Sequence, residues 1–197
     1  VVSDFVQKRN YRSSSSTAIA LSGSDDELLN VHLVKDDENY DVFLVSHRGY
    51  GLRYALDEVA TYGPTAKGVK SINLKDGDYV VNGLLINNEA PTEHAMIITQ
   101  RGAVKKMNLV DFDPISRAKR GLLVLRELKS NPHRVALLIN VAAPDDEITI
   151  LTTNNKTFSV NAKDYSVSDR YSNGSFILEE ETDGHPIAFK RDDIVYR

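Results

Sequence analysis

The chain repeats itself every 53 residues. Leu44, Val45 and Ser46 fall on Ile97, Ile98 and Thr99, and again on Ile150, Leu151 and Thr152, with no gap. Tyr54 falls on Met107 and Val160, Val59 on Phe112 and Tyr165, and Ile72 on Leu125 and Leu178. Turn-forming positions keep the same step. Arg48-Gly49 aligns with Arg101-Gly102 and Asn154-Asn155, and Gly68 aligns with Gly121 and Gly174, and backwards with Ser15. A fixed period of this size marks one supersecondary unit used several times, each unit burying its apolar face only against its neighbours. The copies run over 1–39 (incomplete at its start), 40–89, 90–142 and 143–197, and together make a single repeat domain, 1–197.

Within each copy the apolar runs are short and β-rich, such as Asp41–Val45, Ala95–Ile98, Val135–Ile139 and Ile148–Leu151, and Gly, Asn, Asp and Pro separate them. Helical spacing is hardly sustained anywhere. Each copy therefore reads as strand, tight turn, strand, long loop, strand, loop, strand. Gly49, Gly102 and Asn155 share the hairpin-turn position, which calls for residues that tolerate positive φ. The Gly68, Gly121 and Gly174 column opens the third strand, and its recurrence implies a bend or a close backbone approach that a Cβ would block. A unit of about 50 residues with four strands is a propeller-like blade. The expected architecture is all-β, a propeller-like disc of about four blades. The chain starts without Met or a signal peptide, so it is expected to be the cut end of a longer protein.

Composition removes several functions. With no Cys there are no disulfides, thiolate metal sites or thiol nucleophiles. The five His (32, 47, 94, 133 and 185) share no ligand spacing, and no phosphate-binding glycine loop is followed by a helix. Acidic runs at Asp145–Glu147 and Glu179–Glu181 read as solvated loops. The net charge of −4 excludes a uniformly basic nucleic-acid binder, but the charge is unevenly spread. The copy at 90–142 carries 9 Lys and Arg against 4 Asp and Glu, whereas 143–197 carries 6 against 11.

The basic residues recur in register. Arg48 matches Arg101, Arg53 matches Lys106, and Lys67 matches Arg120. The candidate phosphate-binding set is Arg48, Arg53, Lys67 and Lys70 in the second copy, and Arg101, Lys105, Lys106, Arg117, Lys119 and Arg120 in the third. Lys8, Arg9 and Arg12 extend it into the first copy, beside a Ser13–Ser16 run that reads first as a loop. Cations repeated along the rim of successive blades form a track for a duplex backbone, positioning it without reading its sequence. A lone cation of this kind is ordinarily a solvated loop residue.

These residues resemble a known family. His47-Arg-Gly49 through Tyr54, Lys67-Gly-Val-Lys70, Ile72, Leu74 and Gly77-Asp78 resemble the repeat found in the C-terminal domains of the A subunits of bacterial type IIA topoisomerases. So does Thr99-Gln-Arg-Gly-Ala-Val-Lys-Lys-Met107 with Arg117-Ala-Lys-Arg-Gly121. The resemblance implies a β-pinwheel whose blades exchange strands and whose basic rim binds and bends double-stranded DNA. The glutamine–arginine–glycine-rich box of the gyrase branch is absent, Gln100-Arg-Gly102 being only a fragment of it, so the chain is more similar to the topoisomerase IV branch. The implied role is to present duplex DNA to an ATP-dependent strand-passage enzyme for decatenation and relaxation. The implied partners are the other domains of the A subunit, together with the ATPase B subunit. A gyrase-type wrapping domain and a protein-interaction propeller stay open as alternatives. The resemblance further implies a cytoplasmic, chromosome-associated setting, no membrane partner, and no cofactor in this fragment, with ATP and Mg used by the holoenzyme. The family cleaves DNA with an Arg-Tyr pair in a separate domain. Tyr54 of Arg53-Tyr54 sits at a core repeat position and Tyr171 of Arg170-Tyr171 lacks the flanking sequence, so neither is read as a nucleophile. The last copy departs from the pattern at Asn154-Asn155 and Asn173, which puts its contact with DNA in question.

Overall fold

The computed structural model describes residues 17–197, so Lys8, Arg9, Arg12 and the Ser13–Ser16 run lie outside the described residues. These residues form three four-stranded antiparallel sheets. The first contains β1 (Tyr40–Ser46), β2 (Tyr50–Ala55) and β3 (Val80–Asn87). The second contains β4 (His94–Thr99), β5 (Ala103–Asn108) and, after β6 (Leu122–Leu123), β7 (Val135–Asn140). The third contains β8 (Glu147–Thr152), β9 (Thr157–Asn161) and, after β10 (Ser175–Phe176) and the one-turn helix α1 (Glu180–Asp183), β11 (Pro186–Arg191) and β12 (Ile194–Tyr196).

Repeats and sheets are offset. The first sheet has the order β3-β1-β2-β6 and the second β10-β5-β4-β7, so the outer strand of each is lent by the following repeat. Tyr50 and Gly51 pair with Leu123 and Leu122, and Ala103 and Val104 pair with Phe176 and Ser175. The third sheet, β12-β11-β8-β9, instead gains β12 on its inner side through a hairpin whose Asp192 has φ 51°. Residues 17–39 form no strand.

Side-chain alternation assigns the faces. In β4, Ala95 and Ile97 pack toward the first sheet with Phe43, Val45, Leu84 and Ile86, while Met96 and Ile98 pack toward the third with Ile148, Ile150 and Phe189. The middle sheet is buried on both faces, which is why its central strand β4 and its neighbour β7 are near-continuous apolar runs instead of alternating ones. Tyr54 lies in a smaller cluster with Leu52 and Ile72, is 2% exposed, and donates its hydroxyl to Ser71 Oγ at 3.0 Å. Burial raises its phenol pKa above the ordinary value. That is the core placement expected from the repeat.

The hairpin-turn column has the geometry that the sequence demands, but the second column holds only in part. Gly68 has φ 82°, yet an added Cβ would meet nothing within 4 Å and no strand opens there, so the expected close approach is found only at Gly121 and Gly174. Gly49, Gly102 and Asn155 turn the first hairpin of each copy at φ 87°, 82° and 57°. Gly121 and Gly174 sit where the lent strand approaches its host. A Cβ on Gly121 would lie 2.1 Å from the Gly51 carbonyl oxygen, and one on Gly174 would lie 2.2 Å from that of Val104. Just beyond, Val124 donates to the Gly49 carbonyl at 2.8 Å and Ile177 to the Gly102 carbonyl at 3.0 Å. Leu125 and Leu178 are then buried over those turns.

Gly121→Ala and Gly174→Ala are expected to destabilise the fold by at least roughly 1–3 kcal/mol, through positive φ and the carbonyl collision. Gly63→Ala, where an added Cβ meets nothing within 4 Å, is expected to stay within about 0.5 kcal/mol. Urea denaturation of the three variants checks both.

Candidate nucleic-acid interface

The sequence nominated ten cations among the described residues, and the structure sorts them by what their side chains touch. Two of them, Arg53 and Lys106, tie one sheet to the next. Arg53, half-buried, donates from Nε to Asp41 Oδ2 at 2.7 Å and from Nη1 to the Leu109 carbonyl at 3.3 Å. Lys106 donates to the Ala162 carbonyl at 3.0 Å. Leu109 and Ala162 are themselves 53 residues apart and open equivalent 3-10 turns, Leu109–Asp111 and Ala162–Asp164. The Arg53 and Lys106 column is therefore a latch from one sheet to the turn of the next.

Lys105 corrects the sequence reading most clearly. It is 1% exposed, and its amine donates to the Val124 carbonyl at 2.6 Å and the Ser172 carbonyl at 2.9 Å. Burial lowers its pKa from 10.5 to about 8, against the raising influence of Asp169. It clamps two successive lent segments and is out of reach of a phosphate at the surface. Arg101 is also engaged. It contacts Glu180 at 3.4 Å, donates to the Asn131 carbonyl at 2.8 Å, and lies over the Phe176 ring at 5.4 Å.

The remaining candidates converge at the junction of the first two sheets. Loop 67–75 and loop 117–121 are zipped edge to edge: Ala118 donates to the Ser71 carbonyl and Asn73 to the Lys119 carbonyl, both at 2.8 Å. The Arg117 guanidinium donates to the Lys70 carbonyl, and its backbone amide donates to Glu58 Oε2 at 2.8 Å. Arg117 thus organises the loops, while Lys67, Lys70, Lys119 and Arg120 remain exposed. Lys70 touches only the neutral Asn73, donating to its Oδ1 at 2.7 Å. Half-buried Arg48 adjoins this site, where its backbone amide donates to Asp78. Among the described residues none of Arg48, Lys67, Lys70, Lys119 and Arg120 makes an ion pair.

Sequence reasoning missed two members. Lys75 is exposed, and its Nζ lies 5.4 Å from the centre of the Tyr50 ring. The Arg120 guanidinium lies 5.9 Å from the same ring. Lys75 falls on Leu128 one repeat later, and Tyr50 on Ala103, so neither carries a repeat signal. The next junction has lost the patch. There Leu123, Leu128, Ser172 and Asn173 replace Lys70, Lys75, Lys119 and Arg120. Arg101, Arg120 and Arg170 keep the places of Arg48, Lys67 and Arg117, the last lying 5.5 Å over the Tyr171 ring.

No group of His, Asp and Glu among the described residues could hold a metal ion, and none of their helices is long and apolar enough to cross a membrane. His133 is buried against Thr99, its Nδ1 3.0 Å from Oγ1, and burial lowers its pKa. What the site offers is an array of exposed positive charge.

The chain matches the DNA gyrase C-terminal domain, beta-propeller, family over residues 40–87 and 93–141. It is 41% identical over 174 residues to the A subunit of DNA topoisomerase 4 from Bacillus subtilis, covering 88% of this chain and 21% of that protein. It is 38% identical over 194 residues to the corresponding protein of Streptococcus pneumoniae, covering 91% of this chain and 23% of that protein. The chain thus spans under a quarter of these relatives' length. The crystal structure of the C-terminal domain of a DNA topoisomerase IV superposes with a TM-score of 0.82 at 43% identity, covering 92% of this chain and 55% of that one. A DNA gyrase A C-terminal domain superposes at 0.73 with 22% identity, covering 88% and 57%, a likeness in fold.

Lys105→Met is expected to cost about 1–3 kcal/mol by leaving two buried carbonyls unpaired. The unfolded chain binds the Lys105 proton more tightly than the folded one. Between pH 8 and 10.5 this lysine therefore makes stability rise with pH. Urea denaturation across that window should show a steeper rise for the native chain than for the Met variant.

Proposed function

The chain belongs to the DNA gyrase C-terminal domain family, and on that footing we propose that it binds and bends duplex DNA as part of the A subunit of a topoisomerase IV-type enzyme. The observation that carries the reading is the cluster of unpaired cations on two zipped loops, supplied by two successive repeats. Lys67, Lys70, Lys75, Lys119 and Arg120 can each displace a counterion from a phosphate, and Arg48 sits at their border. Because the patch is specific for charge and shape, it suits a domain that handles DNA of any sequence.

The extent of the patch favours bending over wrapping. Cations crowd one junction and four of them are replaced at the next, where Asp164, Asp169, Glu179 and Glu181 are exposed. A duplex held at one junction touches a short stretch of rim. Bending 20–30 bp through 40–90° costs on the order of 1–6 kcal/mol, and five or six charge-assisted contacts can offset that. The domain would then present a bent segment to the strand-passage machinery. In this reading other domains of the same polypeptide do the cutting, while a separate ATPase with ATP and Mg drives passage. Tyr54, locked in the core against Ser71, is not a nucleophile in this scheme. The acidic third sheet is the one feature that favours the alternative of a protein-binding propeller with a basic partner.

Replacing Lys70, Lys75, Lys119 and Arg120 together with Ala is expected to weaken duplex binding at fixed salt and to reduce the slope of log affinity against log salt by up to about 3.6. Arg53→Met and Lys106→Met should lower stability with little change in that slope. Ligation of nicked circles with the bound chain tests the geometry. Binding without a growing linking-number shift fits bending; a shift proportional to bound protein would support gyrase-like wrapping instead. Affinity insensitive to salt would favour the protein-binding alternative.

A further inference from the structure

Tyr50 occupies an unusual place in this patch. It follows the Gly49 turn, opens β2, and pairs with Leu123 of the lent strand β6, so it stands at the seam between two repeats. Its amide donates to Ser46 Oγ at 3.1 Å, and its half-buried ring packs beside the Leu52, Tyr54 and Ile72 cluster. Backbone pairing and core contact together hold the ring in one orientation. Lys75 from one repeat and Arg120 from the next both approach it, at 5.4 Å and 5.9 Å from its centre. Two exposed cations repel one another and, on long flexible stems, would separate in water. The negative face of an aromatic ring attracts both.

We propose that Tyr50 is a positioning residue for nucleic-acid binding: its ring gathers Lys75 and Arg120 at the seam so that they meet adjacent phosphates together. The ring lowers the ordering cost of the two side chains before DNA arrives. This role rests on the reading of the patch as a duplex-binding surface. It also accounts for a local difference between the junctions. Where Tyr50 is replaced by Ala103, the positions of Lys75 and Arg120 hold Leu128 and Asn173, so ring and cations are lost together.

The test compares Tyr50→Phe and Tyr50→Leu with the native chain, and uses Lys119→Ala to probe the patch itself. Duplex affinity is measured across salt, and lysine protection from acetylation is read by mass spectrometry. Tyr50→Leu is expected to weaken binding about five- to tenfold, to lower the salt slope, and to expose Lys75 in the complex while Lys119 stays protected. Tyr50→Phe should retain all three. In the free native chain, the Lys75 ε-methylene protons should show an upfield ring-current shift, a reading that needs no variant to fold. Native affinity in Tyr50→Leu while Lys119→Ala weakens binding would overturn the positioning role and leave the patch standing. So would equal loss of protection at Lys75 and Lys119, or an absent ring-current shift. A native chain that fails to bind duplex at low salt would sink the DNA reading and this proposal with it.

Discussion

The two-residue strands β6 and β10 are the contacts on which the rest depends. A four-stranded sheet built from one repeat would keep its turn, its core strands and its inner strand, but its outer edge would lack a partner. Here that edge is closed by the following repeat, so neighbouring repeats are joined by backbone hydrogen bonds as well as by apolar packing. The demands of that closure are visible in the side chains. Glycine is needed at 121 and 174 because the host carbonyls stand where a Cβ would be. Leu125 and Leu178 then fold over the hairpin turns, and Lys105 ties the Val124 and Ser172 carbonyls together. Stability in such a stack is a sum of unit and nearest-neighbour contributions, and the neighbour share is large.

Solvent access separates the cations into two populations. Arg53, Lys105 and Lys106 spend their hydrogen bonds on protein carbonyls or on the nearly buried Asp41, where loss of hydration is balanced by well-placed acceptors. Lys67, Lys70, Lys119 and Arg120 keep their charge in water and free of carboxylates. Only the second population projects a field that an approaching polyanion can sense. A chain with a net charge of −4 can thus present a strongly positive seam, because its acidic residues are concentrated in the last repeat.

The fold was largely legible in the sequence. The 53-residue step located the hairpin turns at Gly49, Gly102 and Asn155, the core positions of Tyr54, Ile72, Leu125 and Leu178, and the close approach at Gly121 and Gly174. The site was legible only in part. In-register recurrence marked Arg53 and Lys106, yet the feature that recurs with them is the 3-10 turn carbonyl they latch. Periodicity therefore selected for architecture at that column and for surface charge at others, and the two cannot be told apart without burial. Lys105 looked like its neighbour Lys106, but on a strand adjacent residues face opposite ways, and its side meets two lent segments. Lys75 and Tyr50 were invisible for the opposite reason, since they occur in a single repeat.

The offset between repeat and sheet also bears on how such chains change over time. The basic seam has one half encoded at 67–75 and the other at 117–121, in different copies. A recombination event that duplicates or removes one copy would carry along half of two seams and a whole unit of neither. New combinations of loop against loop would arise with the sheet architecture intact. Binding surface can then be gained or silenced at one junction while the strand-lending contacts beneath it remain under their own constraint, a division that the charged first seam and the depleted second one already display.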